Sequence, residues 1–214
     1  MARYIDNIIE APGALVLGAG MAGLFTALKL APFPALVLAG ARPGTSGSSA
    51  WAQGGIAAAM GAGDSWQSHA ADTMTAGAGT CDPHIVELVT REAPDRINDL
   101  LALGAPFDRN PDGTLALGRE AAHSAKRIVH VKGDRAGAEV TRTLAERALA
   151  APSIQILEGF HALELAVENG RVTGVFARYG TGHGTRLVLF RAKAVIFATG
   201  GIGALYAVTT NPLE

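Results

Sequence analysis

Cysteine is all but missing from this sequence. Cys81 is the single one, so no internal disulfide can form, and a reducing, cytoplasmic setting is expected. Its thiol reads as a small, buried apolar side chain. An excess of either charge is missing too. The 18 Lys and Arg stand against 19 Asp and Glu, which leaves no footprint for a nucleic acid or an anionic membrane surface. Uninterrupted apolar runs are also lacking. The segment from 14 to 41 comes nearest, but Lys29, Pro32, Pro34 and the glycines at 18, 20 and 23 break it, whereas a spanning helix needs about 20 continuous apolar residues. Asp6 and Glu10 sit where a signal peptide would carry positive charge, so no leader is expected. No metal-site spacing occurs either. His123 and His130 stand seven apart with no further ligand set, so no metal is expected.

What the chain has in quantity is glycine, 27 in 214 residues, within a composition that is 49% hydrophobic and 17% charged. That combination gives a folded chain with a sizeable core and many points of close backbone approach. Ala14-Leu15-Val16-Leu17 reads as a buried parallel strand. A glycine turn follows, then a helical pattern through Leu24, Ala27, Leu28 and Leu30 that ends before Pro32, then a second apolar run at 35–38. Together they predict a βαβ unit over about 13–40. Residues 42–63 are predicted to wrap across the sheet edge. Asp64 is predicted to cap a helix over 65–76. Asp82-Pro83 opens another, to about 103, with Ile85, Leu88, Val89, Ile97, Leu100 and Leu101 on one face and a kink or break at Pro94. A further helix is predicted over 135–149. A β layer follows over about 154–190, with Asn169-Gly170 as a hairpin turn, and a final buried strand at 194–198.

Gly18-x-Gly20-x-x-Gly23 falls between the first strand and the first helix, the context in which this pattern binds a dinucleotide. The first glycine permits the turn, the second lets backbone approach a pyrophosphate, and the third lets helix pack on strand. One expected part is lacking. No acid occurs between Glu10 and Asp64, so the carboxylate that usually holds a ribose at the second strand's end is absent. A simple NAD dehydrogenase therefore fits poorly.

Gly18-Ala19-Gly20-Met21-Ala22-Gly23-Leu24, followed by Ser48-Ser49-Ala50-Trp51-Ala52-Gln53-Gly54-Gly55-Ile56-Ala57-Ala58, resembles the flavoprotein family of L-aspartate oxidase, fumarate reductase and succinate dehydrogenase. Further stretches resemble the oxidase branch. These are Asp64-Ser65 with His69 and Asp72-Thr73; Ala76-Gly77-Ala78-Gly79; Arg119-Glu120 with His123-Ser124; Arg127-Ile128-Val129-His130; Ala198-Thr199-Gly200-Gly201; and Tyr206 before Thr209-Thr210-Asn211-Pro212. The resemblance implies a Rossmann-like FAD-binding domain with a parallel central sheet and an additional antiparallel β layer. It implies FAD-dependent oxidation of L-aspartate to iminoaspartate in de novo NAD biosynthesis. Oxygen or fumarate would be the electron acceptor, and quinolinate synthase a possible pathway partner. It also implies that these residues are the N-terminal part of a longer protein, without its capping domain and inactive alone. The rival readings are a fumarate reductase or succinate dehydrogenase flavoprotein and a non-catalytic nucleotide-binding module.

By the same resemblance, the backbone of Gly18, Ala19, Gly20, Met21, Ala22 and Gly23 holds the pyrophosphate. Ser48, Ser49, Ala50, Trp51, Ala52, Gln53, Gly54 and Gly55 line the flavin and its ribityl chain. Ala162 meets the adenine through its backbone, and Thr199, Gly200 and Gly201 pass close to the cofactor. Glu120 faces the substrate's amino group, where a carboxylate favours an ammonium and disfavours an unaminated dicarboxylate. Ala121-Ala122 depart from the family's usual Gly-Gly. Ser48 stands where the dehydrogenase branch carries a histidine joined to the flavin, so FAD is expected to be held non-covalently. Taken by residue type alone, Arg119, Glu120, His123, Arg127 and His130 also fit a solvated ion-pair face, and His69 with Asp72 fits a helix-surface pair. Trp51 reads as a packing residue over cofactor or core.

Overall fold

A computed structural model describes residues 5–45 and 47–211; Pro212 of the Thr-Thr-Asn-Pro stretch lies outside them. The elements run β1 (Asn7–Glu10), β2 (Ala14–Leu17), α1 (Met21–Leu30), β3 (Ala35–Ala39), α2 (Ser48–Trp51), β4 (Ile56–Ala57), α3 (Trp66–Gly77) and α4 (Pro83–Ala102). They continue with β5 (Leu117–Gly118), β6 (Ile128–Val129), α5 (Ala136–Ala150), β7 (Ile154–Glu158), β8 (Phe160–Glu168), β9 (Arg171–Tyr179), β10 (Arg186–Arg191) and β11 (Ala194–Phe197). Two units emerge, one formed by residues up to 51 together with those from 141 onward, the other by 52–140.

The first unit contains a four-stranded parallel sheet in the order β11-β2-β3-β7. Every residue of the inner strands β2 and β3 is buried, which is why both read as continuous apolar runs instead of alternating ones. A second sheet has the order β1-β10-β9-β8. It is antiparallel except at its edge, where β1 joins β10 in parallel. Period 2 explains how the sheets stack. Leu15, Leu17, Leu36 and Leu38 from one face meet Val175, Ala177, Val188 and Phe190 from the other in a single buried cluster, each pair two residues apart on its strand.

Here the 154–190 expectation needs correcting. Its first strand, β7, pairs with β3 in the parallel sheet, Ala35 opposite Ile154, and only β8, β9 and β10 enter the second sheet. The chain arrives at β7 from α5, a connection that suits a parallel strand better than a hairpin partner. β1 was not foreseen. Its four residues are exposed or half-buried and carry no alternation to read. Asn169 and Gly170 do make the turn between β8 and β9, at φ 52° and 75°, the left-handed pair that a two-residue hairpin requires.

The second unit holds α3, α4 and a small antiparallel sheet, β4-β6-β5. α3 is capped by Ser65, whose side chain accepts from Ser68 N at 3.1 Å, and not by Asp64, whose oxygens are engaged elsewhere. α4 is capped by Asp82, accepting from His84 N at 2.9 Å and Ile85 N at 3.3 Å, with Pro83 in the first turn. It continues through Pro94 without a break; the proline removes one backbone donor, and Ile97 and Leu100 beyond it are buried. The predicted apolar face is also corrected. Val86, Thr90, Ile97 and Leu100 face inward, a 4-7-3 spacing along one stripe, while Ile85, Leu88 and Val89 are 50%, 39% and 58% exposed. Cys81 is half-buried, its Sγ 3.7 Å from Thr73 O. Among the described residues, no helix is long and apolar enough to cross a membrane.

Candidate functional site

In the first unit the chain passes from β2 into α1 through a turn that only glycine can make. Gly18 sits at φ +106°, and a Cβ there would collide with the Ala198 carbonyl on the neighbouring strand's exit. Gly18 N is bound to Leu38 O at 2.8 Å and Ala198 N to Leu17 O at 2.9 Å, so the turn is stitched to both flanking strands. A Cβ at Gly23 would collide with the Gly18 carbonyl, which brings α1 directly onto the turn. Gly20 precedes the helix and supplies no side-chain cap. In its place Ser49 Oγ, from α2, accepts from Met21 N at 3.2 Å. The first turn of α1 carries no acid. Beyond Met21 N, the N–H groups and dipole of this helix start, which follow Ala19 in sequence and include Ala22, favour an anion.

Thr199, Gly200 and Gly201 leave the carboxyl end of β11, next to the β2 exit. Gly200 is at φ +74°, and among the described residues nothing lies within 4 Å of a Cβ built at Gly200 or Gly201. Two glycine loops thus leave adjacent parallel strands at the end where ligands gather in such sheets. Ser48 and Ala50 share α2 with Ser49, and Ser48 Oγ donates to Asn211 Oδ1 at 2.8 Å. Trp51 is 68% exposed, which removes the reading of its ring as a core residue. Ala162 lies on β8 opposite Ala177, where a bulge between 162 and 164 shifts the register. Its neighbour His161 was not foreseen. The imidazole stands 3.2 Å from the Cβ position of Gly40, beside the carboxyl end of β3 where the ribose-binding acid is missing.

In the second unit, Ala52, Gln53, Gly54 and Gly55 form an exposed strip leading into β4. Ala52 O accepts from Gly137 N at 3.1 Å, and a Cβ at Gly55 would collide with Ile128 and the Val129 carbonyl. Glu120 reaches this strip, its Oε1 3.7 Å from the Cβ position of Gly54. The loop that carries it is closed by His123 N donating to Glu120 O at 3.0 Å and Arg119 Nε donating to His123 O at 2.8 Å. Ser124 ends the loop and donates to Asp72 Oδ2 twice, from its N at 2.7 Å and its Oγ at 2.8 Å.

Beneath this loop lies a charge network in place of the solvated ion-pair face that residue types alone allowed. Arg127 is fully buried. Its Nε and Nη2 grip Asp64 at 2.9 and 2.8 Å, a bidentate pair, and its Nη1 donates to Asp72 Oδ2 at 2.6 Å. Ser68 Oγ accepts from Nη2 at 3.2 Å, and His123 Nδ1 meets Nη1 at 3.3 Å. Arg127 holds the Asp64 carboxyl below the usual range, against the opposing effect of burial. The N–H and hydroxyl of Ser124, more than Arg127, pull Asp72 down to about 2. The Asp64 hydrogen bonds in turn push the Arg127 pKa upward. His69 and Asp72 do not pair on the helix surface. His69 is buried at 6% exposure, edge-on to His123 at 5.5 Å, and its Nδ1 has no partner among the described residues. Burial, then the charge of Arg127, lowers its pKa and keeps it neutral. His130 stands apart, its Nδ1 2.8 Å from Asp108 Oδ2. Sequence did carry a signal for the network. Asp64, Ser68 and Asp72 are spaced four apart and lie on one face of α3 and its entry.

The model of the FAD binding domain family matches residues 13–214. The chain belongs to that family. FAD is the cofactor of this FAD-binding domain. Its similarity to curated proteins runs along the whole chain. The L-aspartate oxidase of Caulobacter vibrioides is 50% identical over 206 residues, covering 94% of this chain and 40% of the relative. That of Mesorhizobium japonicum is 46% identical over 214 residues, covering 100% and 40%. The domain therefore spans about two fifths of the length of the relatives it matches. Among solved structures, the Mycobacterium smegmatis Sdh1 complex in the apo form superposes at TM-score 0.88 with 34% identity, covering 97% of this chain and 37% of that one. An E. coli quinol fumarate reductase superposes at 0.86 with 30% identity, covering 96% and 35%. The α/β architecture expected from the sequence, a parallel sheet backed by a second β layer, is that of these flavoproteins.

Proposed function

We propose that this chain is the FAD-binding portion of an L-aspartate oxidase, which oxidises L-aspartate to iminoaspartate by two electrons and so initiates NAD biosynthesis. The observation that carries the reading is Glu120, a carboxylate set against the bare backbone of Gly54, in a chain 46–50% identical to proteins named for that activity. Bound FAD supplies the acceptor for the electron pair. The protein's own contribution begins with charge. The carboxylate of Glu120 attracts the substrate's ammonium and orients it toward the strip, and a substrate without that ammonium gains nothing from it. The α1 N-terminus and the loops at Gly18 and Gly200 hold the cofactor's phosphates through backbone N–H groups. Ser48 offers no nitrogen for a covalent flavin link, so the cofactor is retained by contacts alone. The 214 residues bind FAD weakly by themselves and turn nothing over, because a longer protein supplies the rest of the enclosure. Oxygen or fumarate accepts the electrons, and quinolinate synthase consumes the product.

The test compares L-aspartate with fumarate in the full-length, flavin-loaded protein. Glu120→Gln is expected to raise the KM for L-aspartate roughly tenfold, the equivalent of one charge-assisted contact, and to leave that for fumarate nearly unchanged. Equal effects on both substrates would remove Glu120 from the recognition of the amino group. The superposition on Sdh1 favours a second reading, a succinate-oxidising flavoprotein. Turnover of succinate as readily as L-aspartate would establish that reading over the first.

A further inference from the structure

Among the described residues the Glu120 carboxylate makes no hydrogen bond or ion pair of its own. Its aim is set by backbone alone, and the backbone is fixed at a distance. His123 N closes the turn on Glu120 O, and Arg119 spends its Nε on His123 O instead of neutralising its neighbour. The turn ends at Ser124, which is held from outside by Asp72 Oδ2 through two donors. That same oxygen takes Arg127 Nη1. Three donors converge on it, so the carboxylate cannot rotate away from Ser124 without stranding a buried guanidinium. Arg127 in turn cannot shift, because Asp64 holds its other edge.

We propose that Asp72, locked by Arg127, is the positioning residue that sets Glu120 against the substrate's amino group and thereby fixes selectivity for amino over unaminated dicarboxylates. This rests on the reading of Glu120 above. Asp72 touches no substrate. It acts through Ser124 and the closed turn, four residues from Glu120. A group that merely stabilised the unit would change turnover of every substrate together. A positioning group changes the one whose ammonium Glu120 meets.

The experiment is a double-mutant cycle in the full-length, flavin-loaded protein, with KM and kcat measured for L-aspartate and for fumarate. Asp72→Asn keeps the shape and removes the charge. It is expected to raise the KM for L-aspartate roughly tenfold while the KM for fumarate stays within about twofold. Combined with Glu120→Gln it should add nothing, since both changes remove one and the same contact. Additive effects, or equal shifts for both substrates, would overturn the proposal and leave Asp72 a structural group. If Glu120→Gln alone fails to separate the substrates, the underlying reading fails and this inference goes with it. Should Asp72→Asn not fold, Ser124→Ala removes one of the three bonds and is expected to give a smaller selective rise, about threefold. On the 214-residue chain, hydrogen exchange gives an answer without turnover. Ser124→Ala should speed exchange at residues 120–124 while α4 keeps its protection, and unchanged exchange there would count against the proposal.

Discussion

The glycine cradle of the first unit and the buried charge network of the second solve opposite problems by opposite means. Around Gly18, Gly20 and Gly23 the proposed anion site is one of backbone N–H groups and a helix dipole, and a Cβ at Gly18 or Gly23 would strike a backbone carbonyl. Around Arg127 the chain buries a full positive charge and answers it with two carboxylates, one hydroxyl and an imidazole. The contrast shows where tolerance lies. A backbone site is set by the conformation of a few consecutive residues and fails when any of them gains an atom. A buried charge site is set by long-range convergence, Asp64 and Asp72 reaching Arg127 from far along the chain, and fails when the charges no longer balance.

The largest effect that would break this comparison is at Arg127. Arg127→Met leaves Asp64 and Asp72 facing each other without their cation and should cost about 3 kcal/mol, read as a fall in urea midpoint. A loss under about 1 kcal/mol would place the network with ordinary surface pairs. Next is Gly23→Ala. The added methyl meets the Gly18 carbonyl and should cost about 2 kcal/mol by overpacking. It should also abolish the rise in melting temperature that FAD gives the parent chain by mass action. A parent chain with neither that rise nor flavin absorbance after FAD addition and desalting would show that the cradle does not hold the cofactor by itself. The smallest effect is with pH. The Asp64 and Asp72 pKa values lie below 3.8 in the fold, Asp72 at about 2, so their stabilisation is complete above pH 3.8 and is lost as pH falls toward 2. His69, also lowered, is protonated more readily when unfolded. Its part is therefore lost earlier, as pH drops below 6.5. Urea midpoints should fall in two stages on acidification, and His69→Gln should erase the first stage alone.

What could be read from the sequence follows the same division. The turn at Gly18, the helix after it, the strands at 14–17 and 35–38 and the Asn169-Gly170 hairpin all rest on neighbouring residues, and they stand where the sequence put them. Longer-range competition decided the rest. Asp64 has the chemistry of a helix cap, but Arg127 takes both its oxygens and the cap passes to Ser65. Ile85, Leu88 and Val89 look like a core stripe, yet the unit packs on the stripe one step away, through Val86 and Thr90. The strand at Ile154–Glu158 looks like the start of the β layer, and partner choice, invisible in its five residues, gives it to the parallel sheet. In the candidate site, Glu120 and the strip at Gly54 were legible as motif. The network that fixes their geometry was present only as scattered Asp, Ser and Arg.

The strand order of the parallel sheet also dictates a timetable. β2 and β3 leave the ribosome early, but their outer partners, β7 and β11, begin only at Ile154 and Ala194. The second unit, by contrast, is contiguous from 52 to 140. During synthesis the charge network can therefore close while the glycine cradle is still waiting for half its sheet. The interval leaves the outer edges of the apolar inner strands unpaired, and such exposed edges draw chaperones or invite aggregation.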